Sequence, residues 1–249
     1  MKRLQLLIVT VFRNGVMIPR MGTLVTTRWD NSVATITMDD GQVNVLSPDM
    51  FVQVNAALDK AADAAAVVLS GRPGVFSAGF DLRVLQTRGP EAEGMVRAGF
   101  ELAVRLLTFP APVLAACTGH AIAMGSFLLV SADYRIGADG PYKITANEVS
   151  IGMTVPGAAI EACRQRLTPA YLSRALTLAE VFPPAEAAAA GFLDLVVPAA
   201  DLADAAAAAA GRLAALDRAA HAATKLRLRG PVVAAMRADL EATGAGIQV

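Results

Sequence analysis

One layout occurs twice in this chain and restricts its possible folds more than any other feature. An apolar, β-branched run leads into a loop of small residues, and a helix-like segment follows. The first copy is Val67-Val68-Leu69, then Gly71-Arg72-Pro73-Gly74 and Val75-Phe76-Ser77-Ala78-Gly79-Phe80, with a helix-like start near Asp81. The second is Val113–Cys117, then Gly119–Ser126, with an apolar segment through Ser131. Buried β-runs alternating with helical segments predict strands covered by helices. A strand, a Gly-containing loop and a helix start also gather bare backbone N–H groups at one point. With the positive end of the helix dipole, such a point suits an oxygen carrying negative charge. Gly79 allows close approach of a ligand and tolerates positive φ. On these residues alone, a plain β-to-helix turn is an equal reading.

The remaining segments fit the same scheme. Thr23–Thr27 and Val33–Met38, separated by Trp29-Asp30-Asn31-Ser32, read as a hairpin. Ser47-Pro48 opens a helix, with Ser as N-cap and Pro at the first helical position. Phe51, Val54, Leu58 and Ala61 give that helix one apolar face, to about Ala66. A helix is predicted from about Glu91 to Thr108, stopped by Pro110-Ala111-Pro112. Short strands follow at Asp133–Ile136 and Tyr142–Ile144. Helices are expected at Gly157–Leu167, Thr168–Glu180 and Pro184–Ala190, and in one Ala-rich stretch from about Ala199 to Leu228. Residues 21–195 therefore read as one α/β core and 196–249 as a helical C-terminal region. The small-residue face of that region suits packing on a neighbouring subunit, or within the chain.

Composition removes several function classes. Lys+Arg and Asp+Glu balance at 22 each, and no basic, aromatic-interleaved patch occurs, so a nucleic-acid partner is not expected. Cys117 and Cys163 have no metal-ligand spacing and make no disulfide framework, which points to a reducing, cytoplasmic setting. The apolar run Leu4–Phe12 after Lys2-Arg3 is too short to span a membrane, and no small-residue cleavage site follows it. Residues 1–20 are expected to be an unstructured or misassigned leader, with Met17 and Met21 as alternative starts. Ser77 and Ser126 lack a Gly-x-Ser-x-Gly elbow. Neither a Gly-x-Gly-x-x-Gly nor a Walker pattern is present.

Three stretches together resemble the enoyl-CoA hydratase/isomerase, or crotonase, superfamily: Phe76–Leu82; Gly119–Arg135, with its Ala-Asp-Tyr-Arg ending; and Asn147–Gly157. Val43–Ser47 and the span from Ala185 to Val196 are weaker matches, and the likeness covers about residues 24–230. It implies an α/β, crotonase-like spiral of ββα repeats with a helical C-terminal portion, assembled as a homotrimer or homohexamer. The implied substrate is an acyl-CoA thioester, coenzyme A being part of it, with neither a separate cofactor nor a metal. The implied oxyanion donors are the backbone N–H groups of Phe80 and Met124. Ala78, Gly79, Asp81, Gly125, Phe127 and Lys225 fall at substrate-binding positions. Lys225, in a basic stretch with Arg227 and Arg229, matches places where relatives meet the CoA phosphates; a solvated helix face accounts for these charges equally well. Arg83 and Arg88 are similarly ambiguous.

The resemblance also sharpens the chemistry. Hydratases of the family use two glutamates, the first three residues after the second oxyanion donor. Here that position is Phe127, between Ser126 and Leu128. The second is present as Glu148. Adding water to a conjugated double bond is well served by two positioned carboxyl groups, whereas one carboxylate suffices to carry a proton between C2 and C4. The pattern therefore favours an enoyl-CoA isomerase (Δ3 to Δ2) with Glu148 as sole acid/base. Its apolar neighbours Val149, Ile151 and Met153 are expected to raise its pKa. The alternatives are a 2-enoyl-CoA hydratase of fatty-acid β-oxidation and a non-catalytic acyl-CoA binding protein. His120 is read as structural, and His221 as a surface residue.

Overall fold

A computed structural model describes residues 22–242, together with a short antiparallel pairing of Phe12–Arg13 with Val16–Met17. The leader expected at residues 1–20 lies otherwise outside the described residues. The main sheet has six strands. Val25–Asp30 (β1) and Val33–Met38 (β2) form the predicted hairpin, turning at Asn31, whose φ of 51° suits asparagine. Ala66–Ser70 (β4) and Val113–Cys117 (β7) then add in parallel. Tyr134–Asp139 (β9) and Leu195–Pro198 (β11) complete the order β11-β9-β7-β4-β2-β1. Val45–Leu46 (β3) pairs separately with Gly79–Phe80 (β6). A third, parallel sheet holds Gly74–Ser77 (β5), Gly119–Ile122 (β8) and Ile144–Thr145 (β10), in the order β10-β8-β5.

Helices cover both faces of the main sheet. Pro48–Lys60 (α1) starts as the sequence predicts, the Met50 N–H donating to Ser47 Oγ at 3.2 Å. Leu82–Leu85 (α2), Pro90–Thr108 (α3), Met124–Ser131 (α4) and Gly157–Arg164 (α5) follow. The main core lies among α1, α3, α4, α5 and one face of the sheet, with Phe51, Phe76, Phe100, Leu106 and Phe127 all buried. Pro169–Thr177 (α6) and Pro184–Ala190 (α7) match their expected positions.

The Ala-rich stretch, expected to be helical to about Leu228, is interrupted once and extends further. It divides into Leu202–Ala214 (α8) and Arg218–Ala242 (α9), and the second runs well past Leu228. The break is local chemistry: the Asp217 carboxylate accepts the Ala220 N–H at 2.7 Å, in the manner of an N-cap. The small residues Ala206, Ala209 and Ala210 of α8 pack within the chain, against Val68, Leu114 and Ala138 on the second face of the sheet. The helix α9 packs on α3 and α5 and is held by charge. Lys225 and Arg229 both reach the Asp133 carboxylate, at 2.6 and 3.0 Å, and the same carboxylate accepts the Val113 N–H at 2.7 Å. Among the described residues, no helix is long and apolar enough to cross a membrane.

Candidate active site

The three-stranded sheet places the sequence motifs together. Its strands run parallel, so their carboxyl ends share one rim. β5 leads into Ala78-Gly79-Phe80, β8 into Ala123-Met124, and β10 into Ala146-Asn147-Glu148. Because β8 lies between the other two, Met124 follows the central strand, with Phe80 and Glu148 following its flanking neighbours. Ligands of parallel α/β sheets characteristically bind at such carboxyl ends. Pairing of Ile122 with Thr145, and the Ala123 N–H donated to Thr145 O at 2.9 Å, fix the second and third turns relative to each other.

The first turn is closed tightly on the second. Gly79 has φ +87°, and a Cβ there would lie 2.9 Å from Ile122 O, 3.0 Å from Ala123 Cβ and 3.4 Å from Met124 N. Only glycine allows this approach, and it brings the backbone just before Phe80 against the start of α4. The Gly79 N–H donates to Ser77 Oγ at 3.0 Å, and that hydroxyl donates to Asn44 O at 2.8 Å, so Ser77 braces the turn. Ala78 is tied by its N–H to Val43 O at 3.0 Å. Asp81 caps α2 through the Arg83 N–H and is paired with the Arg83 guanidinium at 2.8 Å, which holds its carboxyl below the usual range. Both side chains are thereby engaged with each other, Arg83 remaining exposed.

The second turn carries backbone strain. Ala123, the N-cap of α4, has φ 49° and ψ −123°, a region costing a non-glycine residue of order 1–3 kcal/mol. Its carbonyl accepts the Ser126 and Phe127 N–H groups and the Ser126 hydroxyl. Met124 stands at the first helical position, where an N–H has no intrahelical acceptor. A Cβ on Gly125 would come within 2.6 Å of Ser77 O, so this glycine lets α4 seat on the end of β5.

The third turn carries the acid. Glu148 is 6% exposed and precedes the short 3₁₀ turn Val149–Ile151; its carbonyl accepts the Ile151 and Met153 N–H groups. Its Oε2 is buried and has no hydrogen-bond partner among the described residues, as are Thr145 Oγ1 and Asn147 Oδ1 nearby in sequence. Burial pushes the Glu148 carboxyl up to about 7. Cys163 of α5 lies close enough to feel that charge, although burial is the main cause of its own raised thiol pKa.

Phe127, where a second carboxylate would stand, is 1% exposed and stacks on Phe100 with centroids 6.2 Å apart. The row continues: Phe80 meets Phe100 and Phe51 edge-on at 6.5 and 6.2 Å. Lys225, expected to face the CoA phosphates, is instead 5% exposed and bonded to Asp133 within the chain. Burial lowers its ammonium pKa to about 8. Arg229 shares that buried site, whereas Arg227 and Arg88 are exposed. His221, read as a surface residue, is half-buried beside this cluster, with Nε2 unbonded. His120 is structural: its Nδ1 accepts the Lys143 N–H at 3.0 Å, and its ring meets Tyr142 edge-on. Among the described residues, no three His, Cys, Asp or Glu side chains group as metal ligands. Sequence reasoning missed Asp133 as the hub of this network, reading it only as the start of a strand; its place in Ala-Asp-Tyr-Arg was the available signal.

A glycine-tight turn, a helix-start amide and a buried carboxylic acid on one parallel-strand rim define an α/β enzyme of the crotonase fold. The chain belongs to the enoyl-CoA hydratase/isomerase family, whose model matches residues 28–245. It is similar to an apo enoyl-CoA isomerase of Mycobacterium tuberculosis, at 47% identity over 90% of this chain and 99% of that one, with a TM-score of 0.86. A human mitochondrial delta3-delta2-enoyl-CoA isomerase is 30% identical over 90% and 88% of the two chains, with a TM-score of 0.83. A probable enoyl-CoA hydratase of Mycobacterium avium is 36% identical over 188 residues, which is 74% of this chain and 72% of that protein. Both activity names thus occur among its relatives.

Proposed function

We propose that this enzyme moves the double bond of an enoyl-CoA from the 3- to the 2-position, with Glu148 as its only acid/base. The observation that carries the reading is the contrast between two buried positions. The Glu148 carboxyl is poised near neutrality, its buried Oε2 without a hydrogen-bond partner among the described residues, and position 127 holds an aromatic ring locked against Phe100. Ionised Glu148 takes a proton from C2, and the C2–H electron pair moves into the thioester to give a dienolate. The backbone N–H groups of Phe80 and Met124 hold the oxygen as its charge develops. The fit of Gly79 against Met124 N supports their convergence. Such donors act most strongly in the transition state, and losing one typically costs about 3–4 kcal/mol. The protonated acid then delivers its proton to C4, leaving the double bond between C2 and C3. Coenzyme A enters as part of the substrate, and the scheme calls on no separate cofactor.

Hydration is the second reading, favoured by the M. avium relative's name. It calls for a positioned water and a second acid/base, a role that Phe127 cannot fill. Supplying 3-enoyl-CoA and 2-enoyl-CoA separately distinguishes the two. Conversion of the 3-enoyl ester to the conjugated 2-enoyl ester, followed by its absorbance, is expected. Efficient formation of 3-hydroxyacyl-CoA from the 2-enoyl ester defeats the isomerase reading. Tight acyl-CoA binding with neither product indicates a binding protein.

A further inference from the structure

We propose that Asp239, in the last turn of α9, is a positioning residue for Glu148: it fixes the first turn of α5 and, through that turn, the loop that carries the acid. The inference rests on Glu148 being the acid/base of the proposed function. The Asp239 carboxylate accepts the Ala158 N–H at 2.9 Å, from 81 residues away in the chain. Ala158 stands in the first turn of α5, where an N–H has no intrahelical acceptor, and Pro156 at the N-cap supplies no side-chain bond. A carboxylate lent by α9 takes the place of that cap and meets the positive end of the α5 dipole. Glycine makes the approach possible. A Cβ on Gly157 would overlap Asp239 Oδ1 and lie 2.7 Å from its Cγ. Gly157 does not have positive φ, so closeness to Asp239, and not backbone freedom, is what calls for glycine here.

Both sides of this contact are anchored. On α9, Met236 and Leu240 flank Asp239 and are buried in the main core, and Arg97 of α3 donates to Leu240 O at 2.6 Å. On the other side, the chain from Glu148 to Gly157 has little slack. The Ile151 and Met153 N–H groups close on Glu148 O at 3.1 and 2.9 Å, Val155 is buried in the core, and Pro156 leads directly into α5. Further along α5, buried Cys163 lies close enough to Glu148 to feel its charge, so α5 stays near the acid beyond its first turn. Glu148 Oε2 has no hydrogen-bond partner among the described residues. Its position is therefore set by the backbone of its turn and the packing around it, and Asp239 sets where the next helix begins.

The test compares Asp239→Ala, Asp239→Asn, Gly157→Ala and the double variant Gly157→Ala/Asp239→Ala. Asp239→Ala is expected to lower kcat on 3-enoyl-CoA about ten-fold or more, with KM within about two-fold. It should also move the rising limb of the kcat/KM pH profile from about 7 toward the ordinary 4.5, because a loosened α5 admits water to the acid. Asp239→Asn keeps an amide oxygen for the Ala158 N–H and should stay within about three-fold of the unaltered protein. Gly157→Ala should reproduce the loss by displacing the carboxylate, yet cost little more once Asp239 is alanine, since the clashing group is gone. It also carries the test where Asp239→Ala does not fold. A lower Tm with kcat and the pH profile unchanged overturns the proposal, and so does a Gly157→Ala loss that adds in full to that of Asp239→Ala. The Glu148 titration is read without turnover by NMR of protein labelled at the glutamate carboxyl carbons, its signal assigned with Glu148→Gln. A titration that shifts in Asp239→Ala, in a protein that isomerises no 3-enoyl ester, upholds the positioning role and retires the isomerase reading. One that stays in place while the unaltered protein isomerises overturns the positioning role alone.

Discussion

Glu148→Gln separates what the acid does for catalysis from what it costs the fold. The carboxyl is buried, and its pKa stands at about 7 against an ordinary 4.5. In the unfolded chain it ionises near the ordinary value. The protonated form is thus the one the fold favours, and its contribution is fully present below about pH 4.5. That contribution is lost as pH rises toward 7, and above 7 the folded protein carries a buried charge. The gap between the two values, at ~1.4 kcal/mol for each tenfold change, corresponds to about 3 kcal/mol. Glutamine keeps the shape and cannot ionise. Its own cost, chiefly an amide N–H₂ without an acceptor, is the same at every pH. The stability difference between Glu148→Gln and the unaltered protein should therefore shift toward the variant by up to about 3 kcal/mol between roughly pH 4 and pH 8.5. Urea unfolding of both proteins at each pH, followed by circular dichroism, measures this double difference. The same variant should bind saturated acyl-CoA and turn over no enoyl ester. A stability difference that stays flat across that range would refute the claim that burial raises this carboxyl's pKa, whatever the activity shows.

The pH dependence of kcat/KM should rise with an apparent pKa of about 7 as Glu148 ionises in the free enzyme. A profile already level at about pH 5 removes Glu148 as the base. Gly79→Ala should lower kcat/KM roughly a hundred-fold or more, since positive φ and the 2.9 Å approach to Ile122 O force the first turn away from the second; near-normal kinetics would show that the turns need not touch. Asp133→Ala should destabilise the protein by about 3–5 kcal/mol, because it strands Lys225 and Arg229 in the interior. Denaturant titration checks this, and a change under ~1 kcal/mol would mean that water reaches the cluster.

Much of the rim was legible in the sequence because its parts are local. Gly79, the Ser47-Pro48 helix start and the hairpin turn at Asn31 each follow from the backbone demands of a few adjacent residues. The distant partnerships were not legible. Lys225 lies 92 residues from Asp133, and nothing in a basic helix segment separates a lysine that turns inward from one that meets water. The division of α8 from α9 was hidden for a different reason. A run of alanines has no apolar period to interrupt, so one aspartate at 217 decides the boundary. Ala123 gave no warning either, since its strained φ is imposed by the Thr145 bond and the packing of α4, and not by its own preference.

The rim assembled from three strand ends has an evolutionary corollary. Each turn is anchored in its own strand, although Gly79 is locked against Ile122 and Met124 and cannot be exchanged alone. A phenylalanine at 127 removes one charge from the start of α4 while the turns bearing Gly79 and Glu148 keep their ties. Relatives of this fold carry both isomerase and hydratase names, so the path of the chain alone does not name the product.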